Sequence, residues 1–271
     1  MPTILHKAPL IALMAFCELA LSTPAAAQDD ANKSAELAKE LQNPIASLIS
    51  VPIQNNWDFG IGPANAMRYT LNIQPVIPFA LSDDWNLISR TILPIIDAES
   101  PTVGGSNKFG LGDTLESLFL SPSRPTSSGL IWGAGPAVLL PTGTDGLSGH
   151  EWAAGPTVVL LKQDGPWTYG LLANHLWSVA GSGGASVNAT FLNPWLSYTT
   201  KTSTTFSVQT EATYDWQQRQ WTAPVSAVVG QVMNIGSQPI ELSLGVRYYA
   251  EKPADGPDWG MFLQVTFLFP K

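Results

Sequence analysis

The chain has 271 residues, a formal net charge of −8, and charged side chains at only 13% of positions, about half the share usual in a soluble protein. No Lys/Arg cluster is present, which argues against a nucleic-acid partner. A single cysteine excludes a disulfide framework. The apolar share, 45%, is ordinary, so Gly, Pro, Ser, Thr, Asn and Gln stand where charges would be. That mixture suits a molecule with an apolar outside and a neutral polar inside.

Lys7 gives a short basic start, residues 8–21 are mostly apolar, and Ala25-Ala26-Ala27 precedes Gln28-Asp29-Asp30. This order predicts a secretory signal peptide over residues 1–27, cleaved after Ala27. The apolar run is too short to span a bilayer and contains Glu18. Cys17 falls in this leader, and the bulky Phe16 before it argues against a lipoprotein anchor.

Residues 28–47 read as a periplasmic segment whose stretch 31–41 forms a short polar helix, ended at Asn43-Pro44. Its apolar face is weak, which predicts loose contact with the rest of the molecule. A partial plug is the alternative.

From residue 48 to 271 the period changes to two. Tyr69, Leu71 and Ile73 alternate with Thr70, Asn72 and Gln74; Leu242, Leu244 and Val246 alternate with Glu241, Ser243 and Arg247. Twelve strands are expected, near 48–59, 68–80, 85–96, 109–120, 130–141, 151–162, 167–179, 187–199, 204–216, 221–234, 239–250 and 259–270. Most exceed the ~9–11 residues that cross a bilayer at a tilt. Tight turns at 82–84, 163–165 and 236–238 alternate with longer links at 97–107, 142–150 and 251–257, the outer-membrane pattern. The link 121–129 is long where a short turn is expected. Tryptophans 57, 85, 132, 152, 167, 177, 216, 221 and 259 fall near strand ends, where interfacial girdles place them. The expected fold is therefore an all-β transmembrane antiparallel barrel with a short N-terminal helix. Prolines 75, 78, 94, 136, 156, 194 and 224 lie inside these strands and require bulges or broken pairing. Trp132-Gly133-Ala134-Gly135-Pro136-Ala137-Val138 also resembles Trp152-Ala153-Ala154-Gly155-Pro156-Thr157-Val158.

Several stretches carry a resemblance to a known family. They are residues 43–57 (NPIASLISVPIQNNW), 71–78 (LNIQPVIP), 83–88 (DDWNLI), 109–113 (FGLGD), 165–170 (GPWTYG) and the ending 267–271 (FLFPK). Together the chain resembles the bacterial outer-membrane transporter family linked to the meta-pathway of phenol degradation, whose members often carry the misleading name neuromedin U. The resemblance implies a Gram-negative outer-membrane barrel, barrel-assembly machinery and outer-membrane lipid as partners, and a role in moving small molecules. It implies no catalytic residue. The departure at the end, Pro270-Lys271 after Phe269, touches how assembly machinery would recognise the strand.

If the apolar face meets lipid, the other face lines a lumen. Asn72, Gln74, Arg90, Glu116, Gln209, Glu211, Glu241, Arg247 and Gln264 are the expected lumen or substrate-path residues. Arg90 and Arg247 are expected to pair with Glu116, Glu211 or Glu241. Two functions compete: passive passage of small solutes, aromatic or apolar by the family's name, and a structural or surface-interaction barrel with a closed lumen. A lipid-modifying enzyme is the remaining class. Ser148 and His150 share one expected external loop, but no Gly-x-Ser-x-Gly element surrounds Ser148. His175 stands alone in a strand. No cofactor or metal is expected, because histidines are few and no ligand spacing occurs.

Overall fold

The computed structural model describes residues 25–181 and 186–270. Residues 1–24 of the expected leader lie outside the described residues. The chain runs α1 (Ala25–Glu40), β1 (Ile49–Ile61), β2 (Ala66–Ile73), β3 (Val76–Ala80), β4 (Trp85–Ala98), β5 (Lys108–Leu111), β6 (Thr114–Pro122), β7 (Leu130–Leu140) and β8 (Glu151–Asp164). It continues through β9 (Trp167–Gly181), β10 (Asn188–Thr199), β11 (Thr204–Thr210), β12 (Ala212–Asp215), β13 (Gln220–Ile235), β14 (Gln238–Glu251) and β15 (Trp259–Phe269). Apart from β2/β3, β5/β6 and β11/β12, which follow one another end to end, consecutive strands pair antiparallel, and β1 pairs with β15 from Ile49↔Phe269 to Phe59↔Trp259 without a shift. The sheet is therefore a closed barrel of twelve strands. Closure leaves no unpaired edge, the condition a sheet must meet in hydrocarbon. Fifteen segments make twelve staves because three staves are interrupted. The gaps fall at Gln74-Pro75, at Gly112-Asp113 and at Glu211.

Side chains alternate across the wall as the sequence period requires. On β14, Leu242, Leu244, Val246 and Tyr248 are exposed on the outside, while Glu241, Ser243 and Tyr249 are buried inside. Seven of the tryptophans expected in girdles (85, 152, 167, 177, 216, 221 and 259) are exposed on the outer face. Near the long-loop end they cluster with other rings: Tyr214 lies 4.8 Å from Trp216 and Phe59 stacks 4.5 Å from Trp259. His175 belongs to this outer belt. Its ring sits 4.0 Å from that of Trp177, and its Nδ1 hydrogen-bonds Thr190 Oγ1 at 2.7 Å.

The prolines fall where the ladder lapses. Pro75 occupies the β2/β3 gap, and Pro94 O accepts from Gly112 N across the β5/β6 gap. Pro224 sits at the register shift between Ala223 and Pro224. Pro136 and Pro156 face each other across β7 and β8. Gly135 and Gly155 precede them for a steric reason: a Cβ on either would collide with the carbonyl oxygen of Leu118 or His175 on the next strand. The repeated Gly-Pro element is thus one solution used twice to close the wall where a donor is missing.

The N-terminal segment does not stand clear of the barrel, in contrast to the loose contact its weak apolar face predicts. Ala38 is fully buried with Ala46, Leu48, Val232 and Leu268 at the short-turn mouth. Gln163 Nε2 donates to Lys39 O at 2.8 Å, satisfying a carbonyl at the helix end, and Ser197 Oγ donates to Gln42 Oε1 at 2.9 Å. Asn43 Oδ1 accepts from Ile45 N at 3.1 Å, which turns the chain upward after Pro44. Ile45 then anchors an apolar cluster of Val76, Ile88, Phe119, Val159, Leu161 and Leu172 inside the wall. This cluster fills the β3–β9 side of the interior toward the short-turn end, leaving open space against β1 and β10–β15 and, beyond Leu172, against β2, β4, β6 and β9 as well.

Candidate functional site

Two internal chambers occupy that open side. The lower one, about 240 Å³, lies above the plugging segment Leu41–Pro44 and is lined by Gln209, Glu241, Ser243, Gln264 and Thr266 among others. The upper one, about 260 Å³, is lined by Asn72, Asn174 and Thr213 interleaved with Ile92, Leu115, Leu172, Leu176 and Phe191. Gln54, Gln74, Arg90, Asn193 and Glu211 line both chambers and so form the junction between them. Two of these stand at wall interruptions: Gln74 at the end of β2 and Glu211 between β11 and β12. The broken ladder lets the wall bend there, and the bend carries polar side chains into the passage.

The junction is ordered by hydrogen bonds. Gln74 Nε2 donates to Gln54 Oε1 at 2.8 Å, which fixes the amide so that Gln74 Oε1 accepts from Arg90 Nη2 at 3.1 Å. Farther along β1, Asn56 Oδ1 accepts from Arg247 Nη2 at 2.7 Å, and Tyr249 Oη donates to Asp58 Oδ1 at 2.8 Å. Arg247 also lies 4.0 Å from Asp58 and 5.2 Å from the centre of the Phe262 ring. Gln54, Asn56 and Asp58 thus position both lumen arginines.

Of the nine expected lumen residues, Asn72, Gln74, Arg90, Gln209, Glu211, Glu241 and Gln264 line the chambers. Arg247 lies in the inner network of β1 and β14. Glu116 does not point inward. Thr91↔Glu116 and Arg90↔Ser117 are opposed pairs on β4 and β6. Opposed residues share a face, so Arg90 and the buried Ser117 point inward while Glu116 and Thr91 point outward. There Glu116 accepts from Ser89 Oγ at 2.7 Å and from Thr91 Oγ1. The expected charge pairing is also corrected. Arg247 takes Asp58, and Arg90 takes the Gln74 amide, with no carboxylate within 4.0 Å among the described residues. β1 was missed as a site element: Gln54, Asn56 and Asp58 share its inner face, but the polar Asn55 between them breaks the alternation that would have marked them. Asn193 was missed although its strand was expected at 187–199.

The Ser148/His150 pair is not arranged for nucleophilic catalysis. Ser148 Oγ donates to Asp113 Oδ1 and accepts from the His150 backbone N–H, while the His150 ring faces Asp145 at 3.3 Å. Asp113 also accepts from Gly143 N and Gly149 N. These contacts pin the 141–150 loop over the β5/β6 gap.

No family model and no curated protein matches the chain. Among solved structures, the barrel is similar to an outer-membrane channel from Pseudomonas putida, with a TM-score of 0.64 at 15% identity over 82% of this chain and 96% of that one. It is also similar to outer membrane phospholipase A from Escherichia coli, with a TM-score of 0.47 at 11% identity over 82% of this chain and 96% of that one. At these identities the likeness is one of fold.

Proposed function

We propose that the chain is an outer-membrane channel of Gram-negative type for small aromatic or apolar solutes, with its short-turn end and N-terminal plug facing the periplasm. The apolar outer face, tryptophan belts and closed sheet support the membrane setting. The observation that carries the channel reading is the pair of chambers in line, joined at Gln54, Gln74, Arg90, Asn193 and Glu211. A filled structural barrel would have no reason to leave a charged, hydrogen-bonded junction between two cavities. The likeness to the Pseudomonas putida channel agrees with this reading, and the family resemblance of the sequence points the same way. Arg90, Glu211 and Glu241 set the field along the passage. The competing reading, a barrel with a closed lumen, is favoured by the plugging segment and by the apolar cluster around Phe119.

Conductance in planar bilayers separates the two. The chain starting at residue 28 is expected to give small steps, and deletion of residues 28–47 to enlarge them several-fold. A folded barrel that stays silent with and without the segment supports the closed-lumen reading.

A further inference from the structure

The two lumen arginines are not equivalent. Arg247 is held by Asn56, by Asp58 and by the Phe262 ring, with only its Nε left without a partner among the described residues. Arg90 makes one hydrogen bond among the described residues, through Nη2 to Gln74. A guanidinium carries five N–H donors in a planar fork that matches a carboxylate. Most of that fork is unspent and borders both chambers. Gln54 locks the Gln74 amide, so Arg90 is held in place before anything binds, which lowers the ordering cost of binding.

Above Arg90, Ile92, Leu115, Leu172, Leu176 and Phe191 give the cavity of about 260 Å³ most of its apolar surface, with Asn72, Asn174 and Thr213 set among them. A concave, largely apolar cavity with a few oriented polar and charged groups is the usual form of a small-molecule site. Glu211 borders the same junction. Its negative charge offsets that of Arg90 and repels a second anionic group.

We propose that the upper chamber binds a small monocarboxylate with an apolar body, its head on Arg90 and its aromatic ring or short alkyl chain against Phe191, Leu172 and Leu115. The site deepens the channel reading by naming the chemistry of the solute, and rests on it only for the route of entry. The carboxylate replaces lost hydration with the free edge of the guanidinium. The apolar body gains from leaving water in proportion to its area. A dianion brings a second charge for which the chamber lining offers no cation besides Arg90 among the described residues. A head without a body, or a body without a head, satisfies half of the site.

The test is calorimetric titration of the purified barrel in detergent micelles with benzoate, hexanoate, acetate, toluene and phthalate. Saturable binding of benzoate and hexanoate is expected, at least tenfold tighter than acetate or phthalate. Arg90→Gln is expected to weaken benzoate at least tenfold while leaving toluene unchanged. Leu115→Trp, which fills the chamber without touching the head group, should abolish benzoate binding. Arg90→Lys, which keeps the charge but not the fork, should fall between wild type and Arg90→Gln, and serves if the Gln variant does not fold. Benzoate binding no better than acetate, or binding that survives both Arg90→Gln and Leu115→Trp in folded barrels, overturns the site. Binding without conductance contradicts the channel reading and leaves the site standing. Conductance without binding does the reverse.

Discussion

Glu116 lies near the middle of the β5/β6 stave, on the face where Leu118 and Leu120 point outward, and among the described residues its carboxylate is held by the Ser89 and Thr91 hydroxyls alone. A charged group on a lipid face is costly in proportion to its depth. The two hydroxyls reduce that cost without removing it. Glu116→Leu is therefore expected to stabilise the barrel by roughly 1–2 kcal/mol, while Ser89→Ala with Thr91→Val, leaving the carboxylate unsatisfied, should destabilise it by about 1–3 kcal/mol. Reversible denaturant unfolding in lipid vesicles, followed by tryptophan fluorescence, reads both; equal stability in all three proteins would contradict the placement. Glu116 was misread in the sequence because β6 is apolar on both faces: Leu115 and Phe119 fill the lumen while Leu118 and Leu120 face out. Alternation then gives no phase, and a polar residue is assigned inward by default. The Arg247–Asp58 pair was illegible for another reason, since nothing local links β14 to β1 until the sheet closes.

At the scale of elements, α1 behaves as a seated plug because of what the barrel offers it. Its own apolar residues are few, but Val232 and Leu268 complete the pocket for Ala38, and Leu48 returns from the chain itself. Periodicity measures a helix's own face and not its seat, which is why the sequence suggested loose contact. Glu40, at the end of α1, borders the lower chamber, and burial raises its carboxyl above the ordinary value. A carboxyl whose pKa is higher when docked holds its proton more tightly in that state. Docking is then favoured in acid and weakens as pH rises through the docked pKa, where the seated group must carry a charge. The channel is expected to close more often as pH falls through the carboxylate range, and Glu40→Gln should flatten that dependence. Glu211 and Glu241 border the same chamber, so the comparison is made with both left intact. Single-channel open probability against pH is the readout. An unchanged profile in Glu40→Gln would assign the dependence to those lumen carboxylates. Most of the twelve staves, by contrast, were readable one by one, from their own alternation or their own turns.

The whole molecule is a cylinder whose sheet has no edge and whose interior is divided. One part is packed with side chains around Phe119, and the rest holds a polar lower chamber and a more apolar upper one. That division explains why composition alone signalled the barrel but not the passage. Low charge and abundant Gly, Ser, Thr and Asn report a polar inside, whereas which staves are filled depends on side chains brought together from Ile45 to Leu172. The prolines that opposed the strand assignment became part of the site, since the gap at Pro75 brings Gln74 to the junction and Pro194 lies next to Asn193 beside the gap at Glu211. The most direct measurement follows β14 with spin labels. Cys17 is the chain's one cysteine, so single cysteines placed at Leu242, Ser243, Leu244 and Val246 after its removal report one position each in lipid vesicles. Labels at Leu242, Leu244 and Val246 are expected to relax with oxygen dissolved in the bilayer, and the label at Ser243 with a water-soluble nickel chelate or with neither. The same response to both reagents along the whole strand would contradict a lipid-facing barrel with a lumen behind its wall.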